Sequence, residues 1–366
     1  MTWRYIATRL NGDGTETILD YDIPLTNVEI HTTLNGHGGL TGTLTPEFSH
    51  LKHIKFTPWT IAIYAEADGQ IRGGGILETV TETPQTLNLD CIGHTGYLTD
   101  TRYTGIKTIE RGDPLKTARH LWEHTQNRKG YNLGVTFHGA TKSRQMFIGD
   151  DDADDITTTP QKVDPYILAW WTVHDLAKEF DALAELAPFE WTMKHTWQNQ
   201  NIAHQLHFGY PRIGKRNKDI HLSVGTNVTH QPEFETTSHD YATQIFILGT
   251  GEGRTTIHHT ETANTKGLQR DAVIIDKSLS TPSKARSRGQ KEMALRAGVP
   301  SLSQVHVIPH AHAPLGSISV GDDVRLETAP NWTNQGEIWV RVMSVKVSPD
   351  DQTTTLEVMR SEKIDE

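Results

Sequence analysis

From Arg4 to Gly93 the chain alternates apolar and polar residues with period two, and glycine-bearing turns interrupt the alternation at short intervals. Successive side chains of a strand point to opposite faces, so this rhythm confines the stretch to short antiparallel strands. Tyr5–Leu10 and Glu16–Ile23 flank Gly12-Asp13-Gly14 and predict a hairpin. Thr60–Ala67 and Ile71–Val80 flank Asp68-Gly69 and predict a second, because that dipeptide supplies the positive φ of a tight turn. Thr86–Ile92 completes a small sheet or barrel.

The rhythm then changes. Asp113 can cap a helix, Pro114 suits its first position, and Leu115, Ala118, Leu121 and Trp122 form an apolar stripe reaching about Gln126. Thr172 with Asp175 makes a capping-box pattern for a second helix, in which Val173, Leu176, Phe180, Leu183 and Ala187 share a face and Pro188 is the stop. From about Thr226 strands return at Gln244–Leu248, Thr255–His259 and Ala272–Ile275, and a helix from Pro282 to about Ala297 ends at Gly298 and Pro300.

Val340–Val347, the turn Ser348-Pro349-Asp350-Asp351 and Thr353–Met359 predict a closing hairpin, whose second arm echoes Gln85-Thr86-Leu87-Asn88-Leu89. That echo fits two related β modules. The expected fold class is mainly β with an α+β insertion. A β-barrel-like domain covers 1–102, an α+β insertion domain 103–225, and a second β-barrel-like domain with one inserted helix 226–366.

A chain of 366 residues has room for two or three domains at roughly 150 residues each. With 35% hydrophobic residues and 30 glycines it lies near ordinary globular composition, so wholesale disorder is not expected. Its net charge of −10 repels nucleic acid and anionic lipid and argues against a dedicated DNA-binding protein. A single cysteine, Cys91, excludes an intramolecular disulfide framework and cysteine-based zinc sites. No basic-then-apolar leader follows Met1 and no apolar run approaches the roughly 20 residues of a membrane span, so a soluble protein made in a cytoplasm is expected.

Several segments approach chemical motifs. His120-Leu121-Trp122-Glu123-His124 matches the H-x-x-E-H pattern of zinc peptidases, with His120 and His124 as ligands and Glu123 as base, but it also reads as a packing helix with polar flanks. Asp150, Asp152 and Asp154 stand at the first, third and fifth positions of a calcium loop, yet Asp155 replaces the required glycine and Gln161 the required glutamate. A solvated acidic loop is the plainer reading. Gly209–Arg216 is a near P-loop spoiled by Arg216, and Ile220–Val224 after it looks like a strand, not a phosphate-binding helix. Gly249-Thr250-Gly251-Glu252-Gly253 lacks dinucleotide spacing. Lys284, Arg286, Arg288, Lys291 and Arg296 give one helix a basic face, and Ser238-His239-Asp240 are adjacent where a triad is spatial. Trp122, Trp170, Trp171 and Trp191 lie in or beside predicted core elements and are expected to pack. No enzyme, no cofactor and no metal site is expected, with His120, Glu123, His124 and Asp150, Asp152, Asp154 as the weak metal candidates.

Taken in order, a set of segments resembles the minor tail proteins of actinobacteria-infecting siphophages. They include Arg72-Gly73-Gly74-Gly75-Ile76-Leu77, Cys91-Ile92-Gly93-His94-Thr95-Gly96-Tyr97, Tyr103-Thr104-Gly105 and Asp113-Pro114-Leu115 leading to Arg119-His120-Leu121-Trp122. Further on come Asn132-Leu133-Gly134-Val135, Trp170-Trp171, Gly209-Tyr210-Pro211-Arg212 and Asp240-Tyr241-Ala242. Within that family the chain resembles the tail hub, or tail-associated baseplate hub protein.

The resemblance implies two small tube-like β-barrels in each chain of a homotrimer, presenting six quasi-equivalent barrels to a hexameric tube. It implies a virion protein at the distal tail tip, assembled in the host cytoplasm. Its expected partners are further copies of itself, the distal tail ring and tail tube proteins, the tape measure protein, and fibre or receptor-binding tip proteins, with phage DNA in transit. Wall hydrolysis or receptor binding is expected to reside in other proteins. The neighbouring expectation is a hexameric distal tail ring protein, and the enzymatic one a wall peptidase using His120, Glu123 and His124.

Overall fold

The computed structural model describes residues 2–45, 51, 53–109, 112–143, 166–172, 174–187, 189–235, 241–251, 253–264, 267–276, 279, 281–296, 301–302, 304–330 and 336–361. The alternating N-terminal stretch forms β1 (Trp3–Leu10), β2 (Glu16–Asp20), β3 (Thr26–Thr33), β4 (Gly39–Leu44), β5 (Ile61–Ala67), β6 (Gln70–Glu82) and β7 (Leu87–Ile92). Asp68 at φ 52° and Gly69 at φ 73° make the tight turn between β5 and β6. The strands pair antiparallel in the order β3-β4-β7-β6-β5-β1-β2.

Strand β5 is buried along its whole length because both of its faces are covered. Ile61, Ile63 and Ala65 pack with Val28, Ile30, Leu40 and Leu89 inside the module. Ala62 and Tyr64 face the other way, with Ile6, onto Ile202 of the middle of the chain. Each such aliphatic side chain contributes about 1.5–3 kcal/mol on full burial.

The middle contains β8 (Ile106–Ile109), α1 (Pro114–Gln126), β9 (Val135–Gly139), β10 (Tyr166–Ala169), α2 (Leu176–Leu186), β11 (Glu190–Gln198) and β12 (Asn201–Gly209). β10 pairs antiparallel with β8, while β12 lies between antiparallel β11 and parallel β9. Asp113 caps α1 as expected, and Leu115, Ala118, Leu121 and Trp122 bury against Leu176, Phe180 and Leu183 of α2. The cap of α2 is Asp175, which accepts from the N–H groups of Ala177 and Lys178. Thr172 is not the cap: its hydroxyl donates to the Ala169 carbonyl at 2.7 Å inside the 3₁₀ turn Trp170–Thr172. Val173 and Pro188 of that expectation lie outside the described residues.

The last part comprises β13 (Arg216–Ser223), β14 (Phe234–Glu235), β15 (Gln244–Leu248), β16 (His258–Thr262), β17 (Asp271–Ile275), α3 (Pro282–Arg296), β18 (Ser301–Leu302), β19 (Val305–Val307), β20 (Asp323–Glu327), β21 (Glu337–Ser348) and β22 (Thr353–Arg360). The strand expected at Thr255–His259 begins only at His258, because Gly253–Thr255 is spent on a 3₁₀ turn. β15 sits between antiparallel β16 and parallel β17, and with α3 has a small core of its own at Ala242, Ile245, Ile247, Leu279 and Ala285. Gly298 and Pro300 lie outside the described residues.

β13 pairs in parallel with β20, which continues through β21 to β22 and β19. Single-residue bridges Val224–Val228 and Val228–Val307 carry the ladder from the end of β13 toward β19 around a core of Leu222, Val307, Val324, Val340 and Leu356. β21 also pairs antiparallel with β3, Val347 opposite Ile30. The N-terminal and C-terminal β regions therefore share one 12-stranded sheet in a mainly β molecule. Among the described residues no helix is long and apolar enough to cross a membrane.

Candidate functional site

A cluster of buried polar groups lies where the N-terminal module meets the β11–β12 hairpin. Glu16 opens β2, Tyr64 sits midway along β5, and His94 starts the 3₁₀ turn that follows β7. His195 and His204 stand directly opposite one another across β11 and β12, because both strands run in register from the Asn199-Gln200 turn. His94, His195 and His204 are all buried.

The hydrogen bonds of this cluster form a connected network. Glu16 accepts from the Thr8 hydroxyl at 2.8 Å, the Tyr64 hydroxyl at 2.7 Å and His204 Nε2–H at 3.0 Å. His195 Nδ1 and His204 Nδ1 lie 2.9 Å apart, one donating to the other. With its proton given to Glu16, the Tyr64 oxygen accepts from His94 Nε2–H at 3.1 Å, and His94 Nδ1 has no hydrogen-bond partner. Burial alone would raise the Glu16 carboxyl, but the hydrogen bonds and charge of His204 and His94 outweigh it and hold the group well below the usual carboxylate range. Burial, with His204 alongside, pushes His94 down to about 4. Burial, with His94 and His204 beside it, holds His195 well below the usual imidazole range.

A second buried junction ties β11 to the C-terminal strands. The Arg341 guanidinium, 1% exposed on β21, donates to Glu190 Oε2 at 2.5 Å and to the Ile213 carbonyl at 3.1 Å. Glu190 also accepts from the Ile213 N–H at 2.6 Å, and Arg212 donates to Asp323 at 2.5 Å. Burial raises the Glu190 carboxyl, while the Ile213 N–H and the Arg341 and Arg212 charges pull it back. Between the two junctions a cleft of about 610 Å³ opens, lined by Arg72, Lys194, His195, Lys215 and Asp322 among others.

His120 and His124 do share one flank of α1, with ring centres 6.3 Å apart. His120 Nε2 is engaged by the Tyr103 hydroxyl at 3.0 Å, and His124 Nε2 by the Thr104 hydroxyl at 3.0 Å. Tyr103 stacks on His124 and Glu123 is exposed. Asp150, Asp152 and Asp154 lie outside the described residues, as do Ser238, His239 and Asp240. The near P-loop is a turn leading into strand β13, where the Arg216 guanidinium lies over the Trp339 ring at 4.7 Å. Two bases of α3, Arg288 and Arg296, pair with Glu292. Trp122 and Trp191 are buried as expected. Trp170 and Trp171 are not: 60% and 53% exposed, they pack edge-on against each other in a 3₁₀ turn at the end of β10.

Sequence reasoning missed the Glu16–Tyr64–His94–His195–His204 cluster, whose members come from four separate stretches of the chain. Only the His195–His204 pair carried a local signal, since the two lie symmetrically about the Asn199-Gln200 turn.

No family model matches the chain, and no curated protein matches it. Solved structures do. The 43 kDa tail protein of prophage MuSo2 from Shewanella oneidensis is 14% identical over 99% of each chain, with a TM-score of 0.62. The tail protein from Neisseria meningitidis is 13% identical over 100% of this chain and 98% of its own, with a TM-score of 0.60. A prophage tail protein from Listeria monocytogenes is 14% identical over 98% of this chain and 95% of its own, with a TM-score of 0.57. The fold is thus one shared by phage tail proteins along the full length of the chain.

Proposed function

We propose that this chain is a structural protein of a phage virion, and within the tail the homotrimeric hub at the distal tip. The observation that supports the reading best is the pairing of β3 with β21, which joins two β regions of one chain into a single sheet, while β8–β10, β9–β12–β11 and β16–β15–β17 form sheets of their own. Two tube-like modules per chain, roughly 1–102 and 226–366, the latter extended by β13 from the end of the α+β insertion, adapt three copies to a sixfold tube. The likeness to three tail proteins over nearly the whole chain supports the tail setting. The actinobacterial siphophage setting rests on the sequence stretches quoted above.

In this role the trimer closes the tube beneath the distal tail ring, anchors fibre or receptor-binding proteins, and opens on adsorption so that the tape measure and genome pass. A charge of −10 per chain, where it faces the lumen, lets a polyanion slide without sticking. The work is association and passage, and no catalytic role is assigned to His120, Glu123 or His124. The Nε2 atoms of His120 and His124 are engaged by Tyr103 and Thr104.

The purified full-length chain tests this by native mass spectrometry. Three copies per particle is the expected result. Six copies would favour a distal ring protein, and a monomer at every concentration would contradict the hub.

A further inference from the structure

Among the described residues, His94, His195 and His204 form the one set of three side chains whose metal-ligating atoms all lie within 4.8 Å of one another. Their ring centres are 4.3, 4.7 and 5.1 Å apart. Imidazoles sharing one tetrahedral ion at about 2.0–2.1 Å per nitrogen have ring centres roughly 5 Å apart. We propose that these three histidines hold one divalent transition-metal ion of the zinc class, which staples the β11–β12 hairpin to the N-terminal module.

Three observations converge on this assignment. Glu16 takes the Nε2–H of His204 and the Tyr64 oxygen faces Nε2 of His94, so these two rings are oriented with Nδ1 presenting the lone pair. That lone pair on His94 Nδ1 has no partner, an expensive arrangement for a buried nitrogen unless it ligates. Finally, His195 lines the cleft of about 610 Å³, which gives an ion a route to the cluster.

On binding, the proton shared between His195 Nδ1 and His204 Nδ1 passes to Nε2 of His195, and no ring changes its charge. Three nitrogens with no thiolate suit zinc and equally cobalt or nickel, whereas magnesium and calcium prefer oxygen.

The test uses the full-length chain without a histidine tag, expressed with zinc in the medium and analysed by elemental mass spectrometry. About one zinc per chain is expected, falling at least tenfold in the His195→Asn/His204→Asn variant and unchanged in His120→Gln/His124→Gln. Cobalt loaded into the wild-type protein should give the intense visible bands of a tetrahedral site. A measurement free of variants guards against misfolding: chelation should lower the melting temperature of the wild-type protein and added zinc should restore it. Less than about a tenth of an ion per chain with no thermal response to chelator or zinc would overturn the site. So would zinc that survives loss of His195 and His204 but disappears with His120 and His124.

Discussion

At the scale of single residues, burial decides which charges matter. Arg341 is enclosed, and its partner Glu190 is held by two donors, so removing the guanidinium strands a carboxylate inside the protein. Arg341→Ala should therefore cost about 3–5 kcal/mol in urea unfolding, while Arg341→Met with Glu190→Leu should cost clearly less, since no unpaired charge remains. A loss below about 1 kcal/mol for the single variant would show the pair to be incidental. His120 carries a pH dependence of definite sign. Burial, helped by Lys107 and His124, lowers it to about 4, so the unfolded chain takes up this proton near pH 6.5 and the folded one does not. Its contribution to stability is present above pH 6.5 and is lost as the pH falls toward 4. The melting temperature should drop across that window, and His120→Gln should flatten the drop.

At the scale of elements, local signals were legible and shared ones were not. Alternation and turn dipeptides are written within a few residues, and so β1–β2, β5–β6, β15 and the β21–β22 hairpin lie close to where the sequence reading puts them. The Asp113 cap and the apolar stripe of α1 are equally local, and Asp113→Ala should cost about 1 kcal/mol by thermal or urea unfolding. The α2 cap was misread because Thr172 and Asp175 both suit the position and only the Trp170–Thr172 turn decides between them. The tryptophans make the same point by contrast. An aromatic pair beside a core strand looks like packing, yet Trp170 and Trp171 leave the sheet just as β10 ends. Trp170→Ser or Trp171→Ser should change stability by no more than about 0.5 kcal/mol, whereas Trp122→Ala should cost about 3–5 kcal/mol. Comparable losses at all three positions would refute the exposure of the pair.

At the scale of the whole molecule, the features that organise the fold join distant parts of the chain. β3 finds β21, β13 finds β20 in parallel, and Glu16 finds His204, and none of these pairings leaves a period or motif in the sequence. A histidine in a strand pattern is mute until the opposite strand is known, and within the buried cluster only the His195–His204 pair, symmetric about its turn, left a local signal. The same geometry gives the central hairpin its place: His204 ties it to Glu16 of the N-terminal module, Glu190 ties it to Arg341 of the C-terminal strands, and the two β regions pair directly. The hairpin is thereby braced at both junctions. The direct test of the hub is imaging of the intact tail tip by electron cryomicroscopy with no symmetry imposed. The account predicts three copies beneath the distal ring, their paired β modules forming a pseudo-sixfold collar around the channel. A true sixfold ring of this chain, or its absence from the particle, would contradict it.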